Sequence, residues 1–167
     1  MEEEICKNLL NAIEQFYSPA SATQEEFAQR EKTLRNYFAD SQSWLPIVKL
    51  LSYPSTSQNA KLFLLTQLHK KLVFSFEIIS QHESYGSVQE LLIHLLQVES
   101  NIKLTKYCSK CLAIFILHTN NHYKENGCIE QIIKSLFINK DKIALSFLVL
   151  GVLKLSRTSL MPAMMIR

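Results

Sequence analysis

Residues 41–72 read SQSWLPIVKLLSYPSTSQNAKLFLLTQLHKKL. Trp44, Leu45, Val48, Leu50 and Leu51 recur at the spacing of a short helix, which Tyr53-Pro54 then stops. Pro46 follows the expected N-cap Ser43 closely enough to lie in a first helical turn, where its missing N–H breaks no bond. Ser55-Thr56-Ser57 offers caps for a second helix, which carries Ala60, Phe63, Leu64, Leu68 and Leu72 inward and reaches as far as Phe76. Alternation of apolar and polar residues never lasts more than a few positions, so strands are not expected. The stretch is therefore a pair of amphipathic helices around a short polar break. Neither helix can bury its apolar side alone.

The same pattern restarts on both sides. Upstream, Ile5, Leu9, Leu10, Ile13, Phe16 and Tyr17 form one helix that ends before Ser18-Pro19. Glu2, Glu3 and Glu4 lie at its positive end, where the helix dipole favours carboxylates. Thr23-Gln24-Glu25-Glu26 reads as a capping box opening the next helix. Phe27, Leu34, Tyr37 and Phe38 form its apolar side, with Arg30, Glu31, Lys32 and Arg35 in solvent. Downstream, Val88, Leu91, Leu92, Leu95 and Leu96 precede a break at Ser100-Asn101, and Leu104, Cys108, Cys111, Leu112 and Phe115 resume the stripe. A fourth pair runs through Ile129, Ile132, Ile133, Leu136 and Phe137, breaks at Asn139-Lys140-Asp141 and continues through Ile143, Leu145, Leu148 and Leu153.

The starts fall near Met1, Ser41, Tyr85 and Glu125, in steps of about 40, 44 and 40 residues. That period matches the roughly 40–47 residues of a HEAT or armadillo helix pair. The expectation is an all-α chain: a right-handed α-solenoid of about four HEAT/armadillo-like pairs over residues 1–155. Residues 156–167 lack a usable period and read as an irregular tail, a frayed or truncated end. Stacked pairs present a long curved surface suited to holding another macromolecule.

Composition agrees with a packed, water-soluble chain. Hydrophobic residues are 47% and charged residues 20%, enough to build a core and to exclude general disorder. The net charge of +3, from 18 Lys+Arg against 15 Asp+Glu, is too mild for direct nucleic-acid binding. The acidic start Met1-Glu2-Glu3-Glu4 is unlike a secretory leader, and no Asn-x-Ser/Thr site occurs. The longest mainly apolar stretch, residues 143–155, is shorter than the roughly 18–20 residues that cross a bilayer, so no membrane insertion is expected. An intracellular protein with reduced thiols is the expectation.

Catalytic motifs are missing: there is no nucleophile elbow, phosphate-cradling loop, dinucleotide fingerprint or His-Glu-x-x-His. The sharpest metal candidate is Cys108-Ser-Lys-Cys111 with His118 and His122. On a continuous helix His118 lies seven residues past Cys111, about 10 Å along the axis, too far to share one zinc ion. The cysteines read as small core residues, and neither catalysis nor a cofactor is expected. Two basic groups remain. Lys61, Lys70 and Lys71 sit with His69 on the fourth helix, while Lys103, Lys106 and Lys110 share one face of the sixth. They read as solvated surface or as a positive strip that steers an acidic partner.

Several stretches together resemble the amino-terminal region of the importin-beta superfamily of nuclear transport receptors. Arg35-x-x-Phe38 followed by Ser41-x-x-Trp44 and Leu50-Leu51 is similar to that family's first inter-repeat turn. Lys61-Leu62-Phe63-Leu64-Leu65-Thr66-Gln67-Leu68-x-x-Lys71-Leu72 resembles its next helix, with Leu64-Leu65-Thr66 in place of the usual Ala-Ala-Gln. Leu104 to Ala113 resembles a helix of the transportin-SR branch, and Lys154-Leu155-Ser156-Arg157 replaces an expected Leu-Pro-Glu-Glu. The resemblance implies a non-catalytic transport receptor, or its amino-terminal part, moving between cytoplasm and nucleus. It implies binding of the small GTPase Ran in its GTP form along the second helices of the repeats, with protein cargo and nucleoporins bound largely elsewhere. Lys71 is the first residue nominated for Ran, followed by Lys103, Lys106 and Lys110. A HEAT or armadillo adaptor unrelated to transport is the rival expectation.

Overall fold

The computed structural model describes residues 2–17 and 23–123. These form seven α-helices and no strand. The chain divides into two compact units, Met1–His82 and Glu83–Arg167. The expected fourth pair and the tail at 156–167 lie outside the described residues.

In the first unit α1 (Glu2–Tyr17) and α2 (Gln24–Ala39) form the first pair. The expected capping box is present at α2: the Glu26 amide donates to Thr23 Oγ1 at 3.3 Å, and the Thr23 amide donates to Glu26 Oε2 at 2.9 Å. Two of the donors that a helix start leaves unpaired are thereby satisfied.

A 3-10 turn over Ser41–Ser43 leads into α3 (Trp44–Leu51), with Pro46 in the first turn as expected. The capping differs from the expectation. Ser43 donates its hydroxyl backward to the Asp40 carbonyl at 2.7 Å, and the Asp40 carboxylate accepts the Gln42 amide at 2.9 Å. The 3-10 turn fills the place a single capping residue would take. The inward face of α3 differs too. Trp44, Ile47, Leu50 and Leu51 are buried, whereas Leu45 and Val48 are half-buried. Trp44 fixes this register: with the indole inside, residues three, six and seven further on share its side.

Ser57 caps α4 (Gln58–Phe74) through the Ala60 amide, and the buried Thr56 hydroxyl donates to the Leu50 carbonyl at 2.6 Å. Ala60, Leu64, Leu65, Leu68 and Leu72 face inward against α1 and α3. At Ser75 the backbone leaves the helical region (φ −133°, ψ 22°) and a short α5 (Phe76–Ser80) follows, burying Phe76 and Ile79. The sequence pattern carried the fourth helix through Phe76 and gave no sign of this break.

The second unit contains α6 (Tyr85–Val98) and α7 (Ile102–Tyr123) packed together. Val88, Leu92 and Leu96 of α6 meet Leu104, Cys108, Leu112 and Phe115 of α7 as one apolar seam. The Cys108 thiol donates to the Leu92 carbonyl at 3.2 Å.

Leu64→Ala should lower the unfolding free energy by about 2–5 kcal/mol, because the fully buried side chain leaves a cavity. Thr23→Ala should cost only about 1 kcal/mol, the loss of one helix cap. Urea unfolding followed by circular dichroism measures both. A Leu64 variant as stable as the parent would contradict the packing of α4.

Candidate partner-binding groove

A stripe of α4 that flanks its core stripe, roughly 100° further round the helix, carries Phe63, Gln67, Lys70 and Phe74. Their spacing of four, three and four keeps all four on one side of the helix. On α2 the residues Glu31, Leu34, Arg35 and Phe38 follow the same rule. Between these walls lies an open cleft of about 440 Å³, with Phe16 of α1 also in its lining.

Aromatic rings floor the cleft. Phe63 stands 5.5 Å from Phe38 and 6.5 Å from Phe16, and Phe16 stacks on Phe27 at 4.7 Å. Tyr17 approaches Phe63 edge-on at 6.0 Å. Such offset and edge contacts suit the ring quadrupoles and hold the rings as one surface. Burial pushes the Tyr17 hydroxyl above its ordinary pKa, so the phenol remains neutral near neutral pH.

The rim is charged unevenly. Arg35 binds Glu31 at 2.6 Å in an i, i+4 ion pair with the acid on the N-terminal side, the favourable order. On the opposite wall Lys70 is exposed. The lining therefore offers aromatic faces, one internally balanced ion pair and one surplus ammonium. That equipment suits non-covalent recognition.

The six lysines nominated from sequence separate in the structure. Lys61 and Lys70 are nine residues apart on α4, about 180° around the helix at 3.6 residues per turn. Lys71 is turned inward, 8% exposed, and its ammonium donates to the Asp40 main-chain oxygen at 2.6 Å. Burial lowers its pKa below the usual lysine value, while the Asp40 carboxylate works in the other direction. Lys71 joins elements of the first unit instead of completing a patch with Lys61 and Lys70. On α7, Lys103 and Lys106 are exposed, and Lys110 is half-buried over the Tyr107 ring at 5.1 Å. These three share one face, as their spacing requires.

Helix α7 runs unbroken from Ile102 to Tyr123, so His118 keeps the axial separation from Cys111 expected for a continuous helix. Burial raises the pKa of both Cys108 and Cys111, which keeps the thiols protonated near neutral pH. His94, on α6, is exposed.

The groove itself was not anticipated. Its signal lay in the 63, 67, 70, 74 spacing, visible once Lys70 is assigned to a different side of α4 from Lys71. Comparison of the chain with family models, curated proteins and solved structures finds no match.

Lys71→Met should reduce stability by about 1–2 kcal/mol, because one charged donor to the Asp40 oxygen is lost while Ser43 remains. A lysine with a lowered folded-state pKa binds fewer protons folded than unfolded just below 10.5. Its contribution to stability therefore rises as pH climbs toward that value. The gap between parent and Lys71→Met should widen over that range. A gap independent of alkaline pH would show that the amine is not buried.

Proposed function

We propose that the chain is a non-catalytic nuclear transport receptor, or the amino-terminal region of one. In this reading it is a right-handed α-solenoid of about four HEAT-like pairs. It binds Ran in its GTP form and protein cargo, meets nucleoporins during passage, and works in both cytoplasm and nucleus without direct nucleic-acid contact. The observation that carries the reading is the repeated helix pair: α1 with α2, α3 with α4, and α6 with α7. The exposed lysines Lys70, Lys103 and Lys106 all fall on second helices of these pairs. The importin-beta-like stretches 61–72 and 104–113 also fall on second helices. Polar rims on repeat surfaces govern encounter and specificity more than raw affinity, as an exchange of partners requires.

A HEAT-type adaptor unrelated to transport is the second reading. It is favoured by the inward turn of Lys71, the first residue nominated for Ran, and by the bulk of the buried Leu64 and Leu65 where the family motif carries alanines.

The two readings separate in a pull-down with immobilised Ran. The transport reading expects retention by the GTP form over the GDP form, reduced about tenfold by the double substitution Lys103→Glu with Lys106→Glu. Equal retention by both nucleotide forms would remove the transport assignment.

A further inference from the structure

The cleft between α2 and α4 has a length, a surface and a charge that together specify an occupant. Along α4 its lining runs from Phe63 to Lys70, seven residues or about 10 Å at 1.5 Å per residue, some two helical turns. The apolar floor is continuous from Phe16 through Phe63 to Phe38. Past the lined cleft, one turn beyond Lys70 on the same stripe, Phe74 is 83% exposed. A large aromatic left in water beside an open aromatic cleft marks a surface prepared for contact.

Charge selects among candidates. Glu31 and Arg35 balance each other, so the groove has one net positive charge, on Lys70. Residues 156–167 of this chain supply Leu160, Met161, Met164, Met165 and Ile166, but their charges are Arg157 and Arg167. They would bring like charge to Lys70. A second copy fares no better through its acidic helix α1, whose apolar residues Cys6, Leu9 and Ile13 are already buried.

We infer that the α2–α4 groove binds an amphipathic α-helix of a partner protein, two turns of which lie in the lined cleft with bulky apolar residues over the Phe16, Phe38 and Phe63 floor and a carboxylate at Lys70, and a third turn of which reaches Phe74. A helix laid in a groove presents anchors at i, i+3 or i+4, and i+7, the same spacing as the receiving stripe on α4. The partner's aliphatic side chains seat between the rings, and its acidic residue fixes orientation against Lys70. Phe74 closes over the end of the bound helix. The inference rests on reading the chain as a protein-binding scaffold and is independent of Ran.

The test uses the full chain and a fluorescein-labelled helical peptide with leucines spaced four, three and four apart and one glutamate on the same face. Fluorescence anisotropy should show saturable binding. Lys70→Glu should weaken it about tenfold, and a peptide with lysine replacing the glutamate should reverse that preference. Phe74→Ala should also weaken binding about tenfold. Both residues are exposed, so the variants should melt with the parent. Absence of binding, equal binding by parent and Lys70→Glu, or preference for a peptide of residues 156–167 would each overturn the inference. Self-association abolished by Lys70→Glu without peptide uptake would do the same. Peptide uptake without nucleotide-dependent Ran retention would remove the transport reading and leave this one standing. The opposite pair of results would do the reverse.

Discussion

The main-chain oxygen of Asp40 accepts three donors: the Lys71 ammonium at 2.6 Å, the Ser43 hydroxyl at 2.7 Å and the Ser43 amide at 3.2 Å. Asp40 ends α2 in an extended conformation (φ −62°, ψ 130°), where a carbonyl leaving a helix would otherwise need water. Two of the donors come from the turn that starts the second pair. The third reaches back 31 residues from the last turn of α4. One oxygen thereby ties the end of the first pair to both ends of the second. The register of Trp44, and with it the inward face of α3, follows from how that turn closes. Burying an ammonium carries a desolvation penalty, which is why the lysine pKa falls, and the short charge-assisted bond offsets part of it.

This joint also shows what the sequence could and could not convey. The helix pairs were legible because amphipathic spacing and capping chemistry are local: the Thr23 capping box, Pro46 in a first turn and the Ser57 cap each depend on neighbours within a few residues. Lys71 was misplaced because adjacent lysines look alike in one dimension. On α4, Lys71 lies three residues past Leu68 and seven past Leu64, which is the core stripe. Lys70 lies three past Gln67 and seven past Phe63, which is the groove stripe. The spacing held the answer, but a cation is ordinarily assigned to solvent, and its acceptor lay 31 residues away. The break at Ser75 had no comparable signal, since neither glycine nor proline marks it.

The groove arises from the way α2 is held. Among its residues only Leu34 and Phe38 are buried, so α2 is anchored mainly through one turn and its caps. Arg30 adds a tie, donating to the Gln15 carbonyl at 3.0 Å across the α1–α2 pair. A helix with so small an apolar face cannot close tightly along α4. The two elements meet ring to ring at Phe38 and Phe63, and both rings line the cleft between them. Phe27 illustrates the consequence: expected on the apolar side, it stacks on Phe16 yet remains 44% exposed.

The second unit uses its polar residues differently, and the contrast bears on function. In α7 the buried hydroxyls of Ser109 and Thr119 donate to carbonyls four residues back, and the Cys108 thiol donates to α6, so these three groups are satisfied within the unit. Its lysines stay on the wet face, where Lys110 rests on Tyr107 without closing a cleft. Long-range attraction between exposed charges depends on ionic strength, whereas aromatic contact does not. A surface of the α7 kind carries charge without an apolar floor, which acts at long range and weakens with salt. One of the α2–α4 kind combines an apolar floor with a single cation at its edge, so contact area outweighs charge there. Within the described residues the two units thus present surfaces of different chemistry, because the residues that flank the core stripe differ between α4 and α7.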